Sequence, residues 1–238
     1  MFRLRRLRTR RNTMLTWKYS MLYIIVPYRD RKEHLSLFLP YMHSYLDMQG
    51  IEHEIYVIEQ AGDELFNRGK LLNIGFNLSN KITSKDNNPV WFAFHDVDML
   101  PITANYTYCE VPTHLVCNAT QFPNGIPYEG YFGGVTLFNA HDFILINGYS
   151  NMYWGWGSED DDLLQRIDKS ELIAERRDGG VFQSLQHATC YTPEIANKNF
   201  EILQQKNDSS KEGLNTLEYG IISAKQINNR AFQYTVVI

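Results

Sequence analysis

Between Met21 and Phe94 short apolar runs alternate with amphipathic stretches, and that alternation restricts the fold more than any other feature of the chain. Met21 to Val26 is continuously apolar and ends at Pro27, which reads as a buried first strand. His34 to Met48 places Leu35, Leu39, Met42 and Leu46 at helical spacing. Glu54 to Glu59 predicts a second strand, Phe66 to Leu78 a helix with Leu71, Leu72 and Phe76 inward, and Val90 to Phe94 a third strand. Strand, helix, strand, helix, strand implies an α/β domain whose central, mostly parallel sheet is flanked by helices. Phe132 to Phe138 is a further candidate strand, and Thr235 to Ile238 a candidate edge strand. Asp160 to Lys169 predicts a helix whose acidic first turn suits the helix dipole. No repeat or low-complexity linker interrupts the 238 residues, so one domain over 21–238 follows a basic tail over 1–20.

That tail holds Arg3, Arg5, Arg6, Arg8, Arg10 and Arg11. It reads first as a disordered, solvated segment and second as a contact for anionic lipid or nucleic acid. The net charge of −4 gives no bulk electrostatic case for nucleic acid as a partner. No apolar run reaches the length of a membrane helix, so no membrane span is expected in this chain. Cys109, Cys117 and Cys190 fit no zinc spacing. Cys109 and Cys117 either close a short loop disulfide or stand as free buried thiols. Asn77-Leu78-Ser79, Asn105-Tyr106-Thr107, Asn118-Ala119-Thr120 and Asn207-Asp208-Ser209 are N-glycosylation triplets, which weakly favour a secreted environment.

Three clusters carry candidate chemistry. Asp96-Val97-Asp98 directly follows a hydrophobic strand, where both carboxylates can face one hard divalent cation bridging two phosphates. Trp154-Gly155-Trp156-Gly157-Ser158-Glu159-Asp160-Asp161, followed by Asp162, sets tryptophans on a glycine-hinged loop beside four carboxylates. That pairing suits stacking on a sugar ring next to a general base. Pro27-Tyr28-Arg29-Asp30-Arg31 supplies two guanidiniums for a diphosphate or for ordering the loop, and Phe66-Asn67-Arg68 adds an aromatic and a cation at a helix start. Tyr128 and Tyr131 flank Phe132-Gly133-Gly134 and line a pocket or pack in a strand; His187, far downstream, is isolated in sequence.

In their order these motifs resemble the beta-1,4-galactosyltransferase family. The resemblance rests on Pro27 to Arg31, Phe66 to Gly75, Asp96 to Asp98, Tyr131 to Val135, Trp154 to Asp161, and Gly213-Leu214-Asn215-Thr216-Leu217 with Tyr219, spanning roughly residues 22–238. It implies a GT-A type fold and inverting transfer from UDP-galactose, with Mn2+ as cofactor and Mg2+ as the alternative. By similarity the donor site comprises Pro27, Tyr28, Arg29, Asp30, Arg31, Phe66, Asn67, Arg68, Val97, Asp98, Tyr131, Gly134, Trp156 and His187, with Asp98 and His187 on the metal. Asp160 is implied as general base, helped by Glu159. Tyr128, Ser158, Glu159, Asp160, Asp161, Asn199 and Phe200 are implied on the acceptor side. Location in the Golgi lumen is implied likewise.

Departures from the family pattern sharpen the expectations. The metal-ligating methionine three residues before the histidine is Ser184, which shifts the donor set toward a harder ion such as magnesium. The glycine before Glu159 is Ser158, and the cysteine that vertebrate members place near Trp91 is missing, so the family's disulfide is absent; Cys117 is one candidate replacement partner for Cys109 beside the free-thiol alternative. Tyr131 favours galactose over N-acetylgalactosamine in the donor. Asn199-Phe200-Glu201-Ile202-Leu203 keeps an apolar pair but lacks the arginine that accompanies an N-acetylglucosamine acceptor. The acceptor reading is N-acetylglucosamine, with xylose and an N-acetylgalactosamine donor as alternatives. A lectin-like relative without activity would have lost Asp98 or Asp160, and both are present.

Overall fold

The computed structural model describes residues 5–7, 20–83, 89–187, 191–205 and 208–238. In chain order the elements are β1 (Arg5–Leu7), β2 (Met21–Tyr28), α1 (Lys32–Met48), β3 (His53–Gln60), α2 (Arg68–Thr83), β4 (Val90–His95), β5 (Met99–Thr103), β6 (Thr113–His114), β7 (Asn118–Ala119) and β8 (Val135–Asn139). Then come α3 (Ala140–Leu145), α4 (Glu159–Lys169), β9 (Glu175–Arg177), β10 (Val181–Ser184), α5 (Pro193–Gln204), β11 (Gly220–Asn228) and β12 (Ala231–Val237). Among the described residues, nine strands form one sheet in the order β1-β9-β6-β8-β4-β2-β3-β12-β11, and β5-β10-β7 form a second, smaller sheet.

The main sheet is mixed but mostly parallel, as expected: β4, β2, β3 and β12 run parallel in sequence across its centre. Both faces of that centre are covered, which is why its strands read as unbroken apolar runs. Leu22, Ile24 and Val26 of β2 pack with α1 residues Leu35, Phe38, Leu39, Met42 and Leu46 on one face. Tyr23 and Ile25 turn to the other face, with Leu71, Leu72, Ile74 and Phe76 of α2 and Leu163, Leu164 and Ile167 of α4. Gly75 lets α2 lie directly on the sheet, since a Cβ there would overlap Ile25 and stand 3.0 Å from Ile58. The parallel strands β2, β3 and β4 end on one edge, where Gln60 closes β3 and the loops after β2 and β4 carry Arg29 and Asp96.

Several expectations are corrected. Thr235 to Ile238 is not an edge: β12 lies between β3 and β11, and β11, exposed along its whole length, takes the edge. Phe132 and the two glycines after it are irregular, and the strand starts at Val135. Within the segment expected to be an unstructured tail, Arg5–Leu7 pair in parallel with β9; the other tail arginines lie outside the described residues. Cys109 and Cys117 are free thiols, so the loop disulfide is not formed. Burial pushes the Cys109 thiol up to about 12, and Cys117 Sγ donates to Arg177 O at 3.1 Å. Cys190 lies outside the described residues. Among the described residues no helix is long and apolar enough to cross a membrane.

Candidate active site

Four consecutive carboxylates open α4, and the fold gives each a different neighbour. Asp162 is buried and accepts from Arg166 Nε at 2.6 Å, one turn along the same helix. Asp161 accepts from the Tyr128 hydroxyl at 2.8 Å. Glu159 faces Arg68, with Nη1 3.5 Å away, close enough for an ion pair but not aligned as a hydrogen bond. Asp160 forms no salt bridge among the described residues; its Oδ1 accepts the Asp161 N–H at 3.0 Å, and Arg68 acts on it only through its charge. Burial, reinforced by repulsion from Glu159 and Asp161, pushes Asp160 up to about 8. Its Oδ2 lies against Gly133, where a Cβ would collide with it and come within 2.7 Å of the Tyr131 ring. Tyr131 meets Tyr128 edge to face at 5.8 Å, so both tyrosines stand beside Asp160.

The tryptophan loop is held from the far side by α5. Thr192 caps that helix by accepting from Ile195 N at 3.3 Å, and Pro193 begins it. Asn199 is 2% exposed and donates to both Trp154 O and Trp156 O, each at 3.1 Å. Asn199, expected on the acceptor side, is thus a strut of the tryptophan loop, its Nδ2 held by the two carbonyls. Phe200, next to it, is exposed. Gly155 N donates to Phe66 O at 2.8 Å, and Ile195 fills the space beside Gly155. Trp156 itself is 57% exposed and rests edge-on against Tyr191, ring centroids 5.1 Å apart.

Ser158 sits at the N-cap of α4 with φ 74°, in the left-handed region, and its hydroxyl makes no capping bond. A non-glycine residue there carries about 1–2 kcal/mol of strain. We expect Ser158→Gly to stabilise the protein by about 0.5–1 kcal/mol after the added chain entropy of glycine. Urea unfolding measures this, and a lower midpoint for the glycine variant would refute it.

On the opposite wall, β4 delivers Asp96, Val97 and Asp98. The small sheet brings His187 to them: β10 pairs with β5, Leu185 N donates to Asp98 O at 2.8 Å, and His187 Nε2 stands 2.6 Å from Asp98 Oδ2. A contact between residues 89 positions apart is invisible to spacing. Val97 is buried in the core, so only its backbone can meet a ligand. Asp96 accepts from Arg68 Nε at 2.6 Å, and burial raises it to about 6 against the pull of that guanidinium. Arg68 is thus engaged by Asp96 and Glu159 and lies over the Tyr149 ring at 5.9 Å. Gly134 takes φ 78°, and its carbonyl accepts from Asp96 N at 3.0 Å, tying the glycine turn to this wall.

Of the remaining residues expected at the donor, Pro27 and Tyr28 are buried at the end of β2, and Asp30 is exposed with φ 51°. Arg29 lies 5.5 Å over the Phe66 ring and donates to Glu64 O at 2.6 Å. Arg31 is close enough to Asp98 to hold its carboxylate down, after the larger hydrogen-bonding effect of His187. Asn67 is fully buried, caps α2 by accepting from Lys70 N, and donates to Asn151 O, so these bonds give it a structural part at the start of the helix. Sequence reasoning missed Tyr149, Tyr191 and Ile195, which shape the site only through chain segments brought together by the fold.

The N-terminal region of glycosyl transferase group 7 matches residues 16–110, and the N-terminal domain of galactosyltransferase matches residues 113–188. The chain is 38% identical over 208 residues to beta-1,4-galactosyltransferase 1 of Bos taurus, covering 85% of this chain and 51% of that protein. It is 36% identical over 207 residues to beta-1,4-galactosyltransferase 4 of Rattus norvegicus, covering 85% and 59%. The chain therefore spans little more than half the length of these relatives. The crystal structure of the catalytic domain of Drosophila beta1,4galactosyltransferase 7 with xylobiose superposes with a TM-score of 0.74 at 27% identity, covering 92% of this chain and 94% of that one. A mutant of that enzyme in complex with manganese, UDP-Gal and xylobiose gives 0.75 at 28%, with the same coverage.

Proposed function

The chain belongs to the beta-1,4-galactosyltransferase family, and from that membership we propose that it transfers galactose from UDP-galactose to a sugar hydroxyl with inversion, in the Golgi lumen. The observation that carries the reading is Asp160, a half-buried carboxylate that forms no salt bridge among the described residues and whose Oδ2 stands beside Gly133 and Tyr131. A carboxylate so placed is a strong base once ionised. It takes the proton of the acceptor hydroxyl as that oxygen attacks the anomeric carbon from the face opposite the diphosphate. Arg29 and Arg31, at the end of β2, face the diphosphate, and Phe66 contacts the uridine. The loop carrying Trp156 covers the donor and excludes water, which would otherwise compete as acceptor. Glu159, Ser158, Asp161 and Tyr128 offer oxygens to acceptor hydroxyls.

The donor set at Asp98 and His187 fits a divalent metal. A carboxylate oxygen and an imidazole nitrogen converge on one point, with Arg31 near enough to orient a phosphate beside them. Asp98 and His187 would hold the ion beside the donor diphosphate; among the described residues no group of three or more His, Cys, Asp or Glu is gathered. When bound, Mn2+ or Mg2+ supplies neutralisation of the charge on the departing diphosphate. Ser184 Oγ donates to Met99 Sδ at 3.4 Å on the strand that presents His187. We expect Ser184→Met to shift preference from magnesium toward manganese, read both in ion-dependent turnover and in direct ion binding by calorimetry. An unchanged ion profile would place residue 184 away from the metal.

For the acceptor we propose terminal N-acetylglucosamine in a beta-1,4 linkage. Xylose is the second reading, favoured by the xylobiose in the two Drosophila structures. Product mass decides among them. UDP-galactose and UDP-N-acetylgalactosamine compete in one mixture with either ion, against N-acetylglucosamine and xylose acceptors. A hexose on N-acetylglucosamine supports the first reading and a hexose on xylose the second. An N-acetylhexosamine product overturns the donor assignment. No product and no UDP release with either ion overturns the activity.

A further inference from the structure

The four glycosylation triplets are unequal once folded, and we propose that Asn105 is the one that carries an N-linked oligosaccharide. Asn77 lies in α2, where its Nδ2 donates to the Tyr219 hydroxyl at 3.0 Å. The partner Ser79 is fully buried, its hydroxyl donating to Gly75 O and Phe76 O. Asn118 and Thr120 are exposed, but Asn118 lies in β7, paired with β10, and its side chain packs beside Gly125, where a Cβ would stand 3.1 Å from Nδ2. The hydroxyl of its triplet, Thr120 Oγ1, accepts from Ser184 N at 2.9 Å. Asn207 lies outside the described residues.

Asn105 is built differently. It lies in the loop between β5 and β6, exposed, with Thr107 also exposed and Tyr106 between them fully buried. Tyr106 pegs the loop: its N–H donates to Gln49 Oε1 at 3.1 Å, its carbonyl accepts from Trp91 Nε1 at 2.9 Å, and its hydroxyl pairs with His95 Nε2 at 2.8 Å. Arg177 fixes the outer side, with Nη1 donating to Asn105 O and Thr107 O, each at 2.8 Å. Asn105 Oδ1 accepts from Thr107 N at 2.9 Å in a local turn, and Thr107 Oγ1 accepts from the Arg177 side chain, Nη1, at 3.4 Å rather than from a backbone N–H of a strand. Nδ2, the atom that would bear the glycan, has no hydrogen-bond partner among the described residues. A bulky glycan there projects into solvent without displacing a contact of the fold.

The donor is a lipid diphosphate-linked oligosaccharide. Nδ2 bonds to the anomeric carbon of its first sugar, the bond from that carbon to the phosphate oxygen breaks, the amide proton goes to a base of the transferring enzyme, and lipid diphosphate leaves. The inference rests on the lumenal location proposed above and on no residue of the active site. Failed modification and failed galactosyl transfer are therefore read separately.

The test is secretion of the chain from a eukaryotic host behind an added signal sequence. Enzymatic deglycosylation in heavy-oxygen water and peptide mapping follow, since release converts a glycosylated Asn to a labelled Asp. We expect the label at residue 105, its complete loss in Asn105→Gln and Thr107→Ala, and its retention in Thr107→Ser. The Thr107 pair keeps the test decisive if Asn105→Gln is not secreted. Secreted protein without label at 105, or labelled at 77 or 118 instead, overturns the proposal.

Discussion

Asp160→Asn is expected to lower transfer by about 10²–10⁴-fold while leaving UDP binding intact. Asparagine keeps the size and the hydrogen bond from the Asp161 N–H but cannot take a proton. The same substitution is expected to stabilise the fold. Asp160 is held at about 8 in the folded chain against an ordinary value of 3.8, so it holds its proton more tightly folded than unfolded. Stability is then fullest below the unfolded value and is lost as pH rises through the folded one. At neutral pH the carboxylate works against folding. One unit of such a shift is about 1.4 kcal/mol, so asparagine is expected to add roughly 1–3 kcal/mol near pH 7 and much less near pH 4. In the wild type kcat/KM should rise with pH through the value of the free enzyme, because only the ionised form accepts the proton. Turnover near wild type, or a variant less stable at pH 7 than its parent, would remove Asp160 from this role.

Arg166→Ala is expected to cost about 3–5 kcal/mol of stability, as is usual when one member of a buried ion pair is removed. Arg166 is 1% exposed. It donates to Asp162 Oδ2 at 2.6 Å and to Glu212 O at 3.0 Å, and it pairs with the Glu212 carboxylate. Glu212 in turn accepts from Asn151 N at 2.9 Å, so one guanidinium joins α4, the turn around residue 150 and the segment entering Gly213. Alanine strands two carboxylates and a carbonyl. Arg166→Lys is expected to fall between, since an ammonium cannot reproduce the fork. Because α4 carries Asp160 at its start, activity should be lost at the same reduced temperature as structure. A midpoint within about 1 kcal/mol of wild type would show that the network contributes little.

The central sheet was legible because β2, β3 and β4 are covered on both faces, so β2 and β4 are apolar almost throughout and β3 carries the apolar centre Ile55 to Ile58. β11 was not, since Gly-Ile-Ile-Ser-Ala-Lys-Gln-Ile-Asn shows neither alternation nor an apolar run, and both its faces are exposed. α5 was overlooked although Thr192-Pro193-Glu194 is a helix start with a physical basis. In the site, local pattern marked the Asp96–Asp98 and Glu159–Asp162 clusters, and only the family resemblance singled out Asp98 and Asp160 within them. Asn67 and Asn199 could not be sorted, because an asparagine that caps a helix or holds a loop looks in sequence like one that binds a ligand.

The sequence by itself determined the family, the α/β alternation and the residue types available for chemistry, because motifs and periodicity are local properties of the chain. Tertiary structure alone decided what each group does with its charge. Glu159, Asp160, Asp161 and Asp162 are four nearly identical carboxylates in a row. They become partners of Arg68, of nothing cationic, of Tyr128 and of Arg166 only when segments far apart in the chain are packed around α4. Proton affinity depends on burial and on charges within a few ångströms, and those distances are fixed by packing between elements.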